Sequence, residues 1–131
     1  MSQFKVSYDQ EHFFIRAETV GFLSHEMYAE GWAQVVQLFE KHPACHRLLI
    51  VVIDGKIIPT ENQHVFVDDF LPKIQTVMHG RTLKYARVIH GDLFNKISTQ
   101  NLYKQIQDRL PNVTLKDFDA EENAIEWLDQ L

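Results

Sequence analysis

The sequence predicts an α/β domain, and its clearest sign is the run Leu48–Ile53, in which every residue is apolar. Such a run is typical of a central parallel strand, because a strand covered on both faces must keep both rows of side chains away from water. Strand-like and helix-like segments alternate along the rest of the chain, which is the pattern of parallel strands joined by right-handed crossovers. The predicted order is β-β-α-β-α-β-α-β-α.

Two short strands open the chain. The first alternates, with apolar residues from Phe4 to Tyr8 on one face, and the second runs from Phe13 to Gly21 with Phe13 and Ile15 on the same side. Strands joined by so tight a polar turn pair antiparallel. We therefore expect a five-stranded, mostly parallel sheet whose first strand is antiparallel and lies at an edge.

The first helix begins after Ser24, a residue type that caps helix N-termini with its side chain. Gly31 lies within its apolar stripe, where a missing side chain lets the helix approach a neighbour closely. Trp32 and Val36 lie at the edge of the stripe and widen it. Pro43 ends the segment.

The second helix follows the central strand. Thr60 and Gln63 form a capping-box pattern at its start. Pro72 falls on its polar side, and the missing backbone N–H of proline predicts a kink there. Phe66 and Val77 extend the apolar face beyond one stripe.

The last third of the chain supplies the remaining elements. Strands are predicted at Leu83–His90 and Val113–Phe118, with a helical segment between them. The apolar residues of that segment change face near Ser98, which predicts a break. Asp119 and Glu122 form a capping-box-like pair ahead of the final helix.

Composition predicts one folded domain over residues 1–131, since 45% of the residues are hydrophobic and 24% are charged. The net charge is −5 and no dense Lys/Arg block is present, which argues against nucleic acid as a partner. The single cysteine, Cys45, excludes an intramolecular disulfide. With no apolar leader and no run long enough for a membrane span, these features predict a cytoplasmic protein.

The element order, the strand Leu48–Ile53 and the ending VTLKDFDAEENAIEWL at residues 113–128 resemble those of SpoIIAA-like, or STAS-like, domains. These domains are relatives of anti-sigma-factor antagonists and of the cytoplasmic domains of sulfate transporters. A bacterial group of stand-alone members has a last strand and helix similar to this one. The resemblance covers nearly the whole chain and implies a regulatory module that acts through protein contacts.

The best understood members of the wider superfamily are switched by phosphorylation of a serine in an Asp-Ser-Ser-Gly-like motif. That motif lies where the helix after the central strand begins. The matching stretch here is Ile58-Pro59-Thr60-Glu61-Asn62, so Thr60 has the same place without the small flanking residues. The resemblance thus implies a candidate switch position and does not carry the switch itself. The superfamily also shares its general form with lipid-carrying domains.

The carboxyl ends of parallel strands are where open α/β sheets bind ligands. The polar residues that we expect at this edge are Asp54, Thr60, Glu61, His64, His90 and Asp92. Two histidines among carboxylates can bind a metal or perform acid–base chemistry. The same residue types also form turns and helix caps, and no close ligand spacing supports a metal site. We therefore assign no catalytic set, no metal and no cofactor.

The loop His42-Pro43-Ala44-Cys45-His46 places three possible metal ligands within five residues. Pro43 sets a turn, and a tetrahedral site would still need a fourth ligand. A solvated loop is the simpler interpretation.

The apolar residues beyond the core stripes are the clearest sign of function. Trp32 and Val36 of the first helix, with Phe66 and Val77 of the second, can form a partner surface, wall a cavity, or pack into one core. The leading hypothesis is a non-enzymatic binding or regulatory module that acts through protein contacts, with a homodimer as one form.

Two other functions remain open. The first is a carrier of a small apolar or lipid-like ligand, held between the kinked helix and residues 93–102. The second is a small enzyme that uses His64, His90 and Asp92.

Overall fold

A computed structural model describes residues 3–21, 23–53, 68, 70–78, 82–89, 108 and 112–130. Its elements are β1 Gln3–Asp9, β2 Phe14–Val20, α1 His25–Lys41, β3 Arg47–Ile53, α2 Leu71–Met78, β4 Leu83–Ile89, β5 Val113–Phe118 and α3 Glu121–Asp129. The strand order is β1-β2-β3-β4-β5, with β1 antiparallel to β2 and the other pairs parallel. The predicted α/β class and the antiparallel edge strand are confirmed.

The described element order contains one helix fewer than predicted. Three helices lie within the described residues, whereas the sequence predicted four. The predicted helix without a counterpart lies between β4 and β5. Most of that segment lies outside the described residues, and Asp108, which is described, is helical. None of the described helices is both long and apolar enough to cross a membrane.

β3 lies in the middle of the sheet and has an apolar core on each face. The first core, between the sheet and α1 and α2, includes Ile15, Val35, Phe39, Leu48, Ile50, Ile74 and Tyr85. The second core, between the sheet and α3, includes Phe14, Leu49, Val51, Ala86, Val88, Ala124 and Leu128. Successive residues of a strand point to opposite faces, so a strand between two cores needs apolar residues throughout. This confirms the interpretation of the run at 48–53.

The turn between β1 and β2 corrects one prediction. β2 begins at Phe14, and Phe13 belongs to the turn, where its φ is 59° and its side chain is 63% exposed. Its backbone N–H donates to the carbonyl of Asp9 at 2.9 Å, which closes the turn. A left-handed backbone is uncommon outside glycine and asparagine, so the sequence pattern placed Phe13 in the strand.

Two local features of α1 are as predicted. Ser24 Oγ accepts a hydrogen bond from the backbone N–H of Met27 at 3.2 Å, which caps the helix. Gly31 is buried and faces the ring of Phe4 on β1, and a Cβ built at this glycine would overlap that ring. The close approach of α1 to the edge strand therefore depends on glycine.

Pro72 is the second residue of α2, and without a backbone N–H it cannot donate to the preceding turn. Asp68 and Phe70, just before it, have π-helical geometry, so the irregularity expected of the proline lies on its N-terminal side. Phe70 and Ile74 are buried in the first core, and Pro72 is exposed, as the pattern predicted.

The start of α3 differs from the prediction. The N-cap is Ala120, in an extended conformation and without a side-chain cap, so the capping role predicted for Asp119 is wrong. The other end is held from the sheet, because Lys84 Nζ donates to the carbonyls of Trp127 at 2.6 Å and Gln130 at 3.0 Å. Carbonyls at a helix C-terminus favour such a cation.

Substitution of Gly31 by alanine tests the packing of α1 on β1. Alanine favours a helix over glycine by up to about 1 kcal/mol, but overlap with the ring of Phe4 opposes this. Overpacking of this kind costs about 1–3 kcal/mol, so we expect Gly31→Ala to destabilise the protein in urea unfolding. The exposed Gln37→Ala on the same helix is the control, expected within about 0.5 kcal/mol of wild type. A Gly31→Ala protein more stable than wild type would contradict this packing.

Candidate interaction surface

A groove open to solvent lies between the C-terminal half of α1 and α2. Its volume is about 320 Å³, and its lining residues are Val36, Glu40, Pro72, Lys73, Thr76 and Val77. The two helices lie side by side on the first core, so the groove runs along the outer surface of that layer. The groove is therefore accessible to solvent from the side of the sheet that α1 and α2 cover.

The groove has an apolar floor and walls of opposite charge. Val36 and Val77 are partly buried and pack against the first core. Glu40 on α1 and Lys73 on α2 are exposed on opposite walls. Thr76 Oγ1 donates to the carbonyl of Pro72 at 3.0 Å, so its hydroxyl is used within α2. The arrangement suits an apolar side chain flanked by charged groups.

The four residues predicted for a partner surface have different places in the structure. Val36 and Val77 come together in the groove. Trp32 is only 4% exposed and belongs to the first core, so its assignment to a partner surface is corrected. Phe66 lies outside the described residues.

Trp32 is buried because it joins helix and sheet through aromatic contacts. Its ring centroid lies 4.2 Å from that of Phe70, 5.6 Å from that of Phe4 and 6.5 Å from that of Tyr85. Tyr28 meets it edge-on at 6.0 Å. Aromatic pairs at such distances stabilise a core beyond the area that they bury. This cluster fills the layer between α1, α2 and the sheet.

A buried ion pair joins β4 to β5 on the side of the sheet that carries the first core. Arg87 is 4% exposed, and its Nε and Nη2 donate to the two carboxylate oxygens of Asp117, each at 3.0 Å. The two residues are direct partners in the parallel register. Sequence reasoning missed this pair, although β4 and β5 were predicted and alignment of their first residues, Leu83 with Val113, places Arg87 opposite Asp117.

The two buried tyrosines of the first core hold their protons more firmly than exposed tyrosines do. Burial raises the pKa of Tyr28 and of Tyr85 far above the usual value of a phenol, and the nearby positive charge of Arg87 only partly opposes this. A phenol that holds its proton so firmly can donate a hydrogen bond but cannot serve as a general base. Tyr28 and Tyr85 are therefore packing residues of the first core.

The residues predicted at the strand-exit edge fall outside the described residues, namely Asp54, Thr60, Glu61, His64, His90 and Asp92. The switch position at Thr60 and the acid–base cluster thus stay predictions. So does the carrier site, since residues 93–102 also lie outside.

The loop at 42–46 is described, and its cysteine is not solvated. Cys45 is 3% exposed, and its thiol lies within hydrogen-bonding distance of the carbonyls of Phe13, at 3.7 Å, and Arg47, at 3.5 Å. His46 is exposed. Within the described part of the chain, no three His, Cys, Asp or Glu residues are grouped closely enough to hold a metal ion.

Comparison of the chain with protein-family models, with curated proteins and with solved structures gave no match. The resemblance to SpoIIAA-like domains is therefore carried by the sequence pattern alone.

A double-mutant cycle tests the ion pair of Arg87 and Asp117. Asp117→Leu leaves a deeply buried cation without its carboxylate and should cost about 3–5 kcal/mol in urea unfolding. Arg87→Met should cost less, because the side chain of Asp117 is 20% exposed and keeps contact with water. The double variant should be more stable than Asp117→Leu. Additive losses from the two single substitutions would show that the charges do not interact.

Alkaline pH tests the buried tyrosines. The folded protein holds protons on Tyr28 and Tyr85 that the unfolded chain releases near pH 10, so their stabilising contribution is complete below that pH and is lost as pH rises above it. The loss approaches about 1.4 kcal/mol per pH unit for each tyrosine. Comparison of wild type with the Tyr28→Phe/Tyr85→Phe protein in urea unfolding cancels the other titrating groups. We expect a shallower decline in the variant, and equal slopes would contradict the assignment.

Proposed function

We propose that this protein is a non-enzymatic binding module that acts through protein contacts at the groove between α1 and α2. The observation that carries the proposal is the combination of a partly buried valine floor, Val36 and Val77, with Glu40 and Lys73 on opposite walls. Apolar recognition gives affinity, and paired charges at the rim give orientation.

The size of the groove favours a side chain as its occupant. A closed apolar cavity of about 150 Å³ suffices to hold benzene, so an open groove of about 320 Å³ can receive one large apolar side chain of a partner. Val36 and Val77 pack against the first core, which makes the groove a preformed feature. Binding to a preformed groove avoids the entropic cost of ordering it.

The resemblance to SpoIIAA-like domains supports the same function, because the family implies regulation through protein contacts. We propose kinship with that family on the sequence pattern, together with the mostly parallel five-stranded sheet. The apolar-ligand carrier and the enzyme that uses His64, His90 and Asp92 stay alternatives, and both depend on residues outside the described part of the chain.

Site-specific photo-cross-linking tests the proposal. A photoreactive amino acid at Thr76, exposed at the groove, should capture a discrete protein partner when the labelled protein is irradiated in cells. The matched control is the same group at Glu122, exposed on α3 beyond the other face of the sheet, where no discrete product is expected. The exposed reversal Lys73→Glu should reduce the Thr76 product while the protein stays folded.

Two results would overturn the proposal. The first is the absence of any discrete product from Thr76 under conditions where the probe itself reacts. The second is a Thr76 product that Lys73→Glu leaves unchanged and that also forms from Glu122.

A further inference from the structure

Phe13 combines exposure with backbone strain. It is the large hydrophobic residue that the described part of the chain leaves exposed, at 63%, and its φ of 59° is a conformation that costs a bulky residue about 1–3 kcal/mol. Asparagine or glycine would occupy the same turn at less cost. Phenylalanine therefore costs the isolated domain more than asparagine or glycine would here, and a contact with another molecule would account for its presence.

The turn that carries Phe13 is closed by hydrogen bonds to the side chain and the carbonyl of Asp9. Asp9 Oδ1 accepts hydrogen bonds from the backbone N–H groups of Glu11 at 2.9 Å and His12 at 3.0 Å. The N–H of Phe13 donates to the carbonyl of Asp9 at 2.9 Å. The turn is thus closed by three hydrogen bonds to one residue.

Neighbouring elements anchor the same turn. The Cys45 thiol lies 3.7 Å from the carbonyl of Phe13, and Arg47 Nη1 donates to the carbonyl of His12 at 3.4 Å. His12 Nδ1 lies 3.1 Å from Asp129 Oδ2 on α3. These contacts hold the main chain of the turn and leave the benzyl side chain of Phe13 in solvent. An exposed apolar group on a fixed backbone is preorganised for binding.

We propose that the groove between α1 and α2 receives Phe13 of a second copy of this chain, which gives the protein contact of the proposed function its partner. The groove accommodates a phenyl ring over its valine floor, and Phe13 is a knob of that size and chemistry. Burial of an exposed phenylalanine on a rigid turn gains apolar contact at little entropic cost.

The turn that carries Phe13 and the α2 wall of the groove bear opposite charges. The turn bears Glu11, which is exposed two residues before Phe13, and the groove bears Lys73 on its α2 wall. A phenylalanine in the groove brings its acidic neighbour to the rim, where it pairs with the lysine. Each copy has both a knob and a groove, so two copies can exchange them about a two-fold axis and form a closed pair.

Phe13→Asn separates association from folding. We expect wild type to show a reversible monomer–dimer equilibrium in sedimentation velocity, and Phe13→Asn to weaken it at least about tenfold. Because asparagine tolerates the left-handed backbone, the same variant should have a Tm about 2 °C higher or more. Wild type that stays monomeric at millimolar concentration, wild type that grows into open-ended oligomers, or unchanged dimerisation of Phe13→Asn would each overturn the inference.

Exchange of the two charges tests the pairing itself. Glu11→Lys and Lys73→Glu each place like charges at both contacts of their own dimer, so each protein alone should associate more weakly than wild type. In an equimolar mixture both contacts of the mixed dimer regain opposite charges, and association should return. A mixture that associates no better than its components would overturn the pairing.

The Thr76 cross-linker distinguishes this inference from the proposed function on which it rests. A product of twice the chain mass, joined at the turn that carries Phe13 and lost in Phe13→Asn, is the expected result. A discrete product of any other mass would overturn the second copy as occupant and leave the proposed function standing. Absence of every product would overturn both.

Discussion

Burial of both faces of β3 is the constraint on which the rest of the structure depends. Leu48 and Ile50 belong to the first core, and Leu49 and Val51 belong to the second. A strand with apolar side chains on both faces needs helices on both sides, and parallel pairing with β2 and β4 needs helical crossovers to return the chain. These requirements bring α1 and α2 together on one side, and the groove forms where they meet.

The buried ion pair on the first-core side of the sheet helps to fix the register of its strands. Arg87 and Asp117 face each other in the register of β4 and β5, and a slip by one residue would move the arginine to the apolar second core. Such a slip would leave a buried charge without its carboxylate, which is costly. Burial raises the pKa of Tyr28 and Tyr85 beside this pair, so both keep their protons at pH values where an exposed tyrosine would lose its own. The buried polar groups of this layer therefore hold the strands in one register and are poorly suited to proton transfer.

The groove between α1 and α2 and the turn of Phe13 have opposite shapes. The groove is concave, apolar at its floor and supported by the core, whereas Phe13 is convex, apolar and held on a strained backbone. A strained residue persists only where the surrounding structure fixes it, and here contacts from Cys45 and Arg47 to the turn do so. Strain that is retained at an exposed residue supports the recognition role that we propose for Phe13.

The sequence predicted those features that depend on near neighbours along the chain. Alternation gave the strands, Ser24 gave the cap of α1, and Gly31 gave the close approach to β1. Capping by Asp119 failed, because the helix begins one residue later, after Ala120, whose side chain cannot accept a hydrogen bond. Local patterns thus locate an element well and its boundary less well.

By itself, then, the sequence determined the fold class, the central place of β3 and the antiparallel edge strand. Only the tertiary structure decided that Trp32 is buried, that Arg87 pairs with Asp117, and that Val36 and Val77 share a groove. Each of these depends on segments far apart in the chain. The residue pattern along one element does not show which distant segment will cover its residues or pair with them.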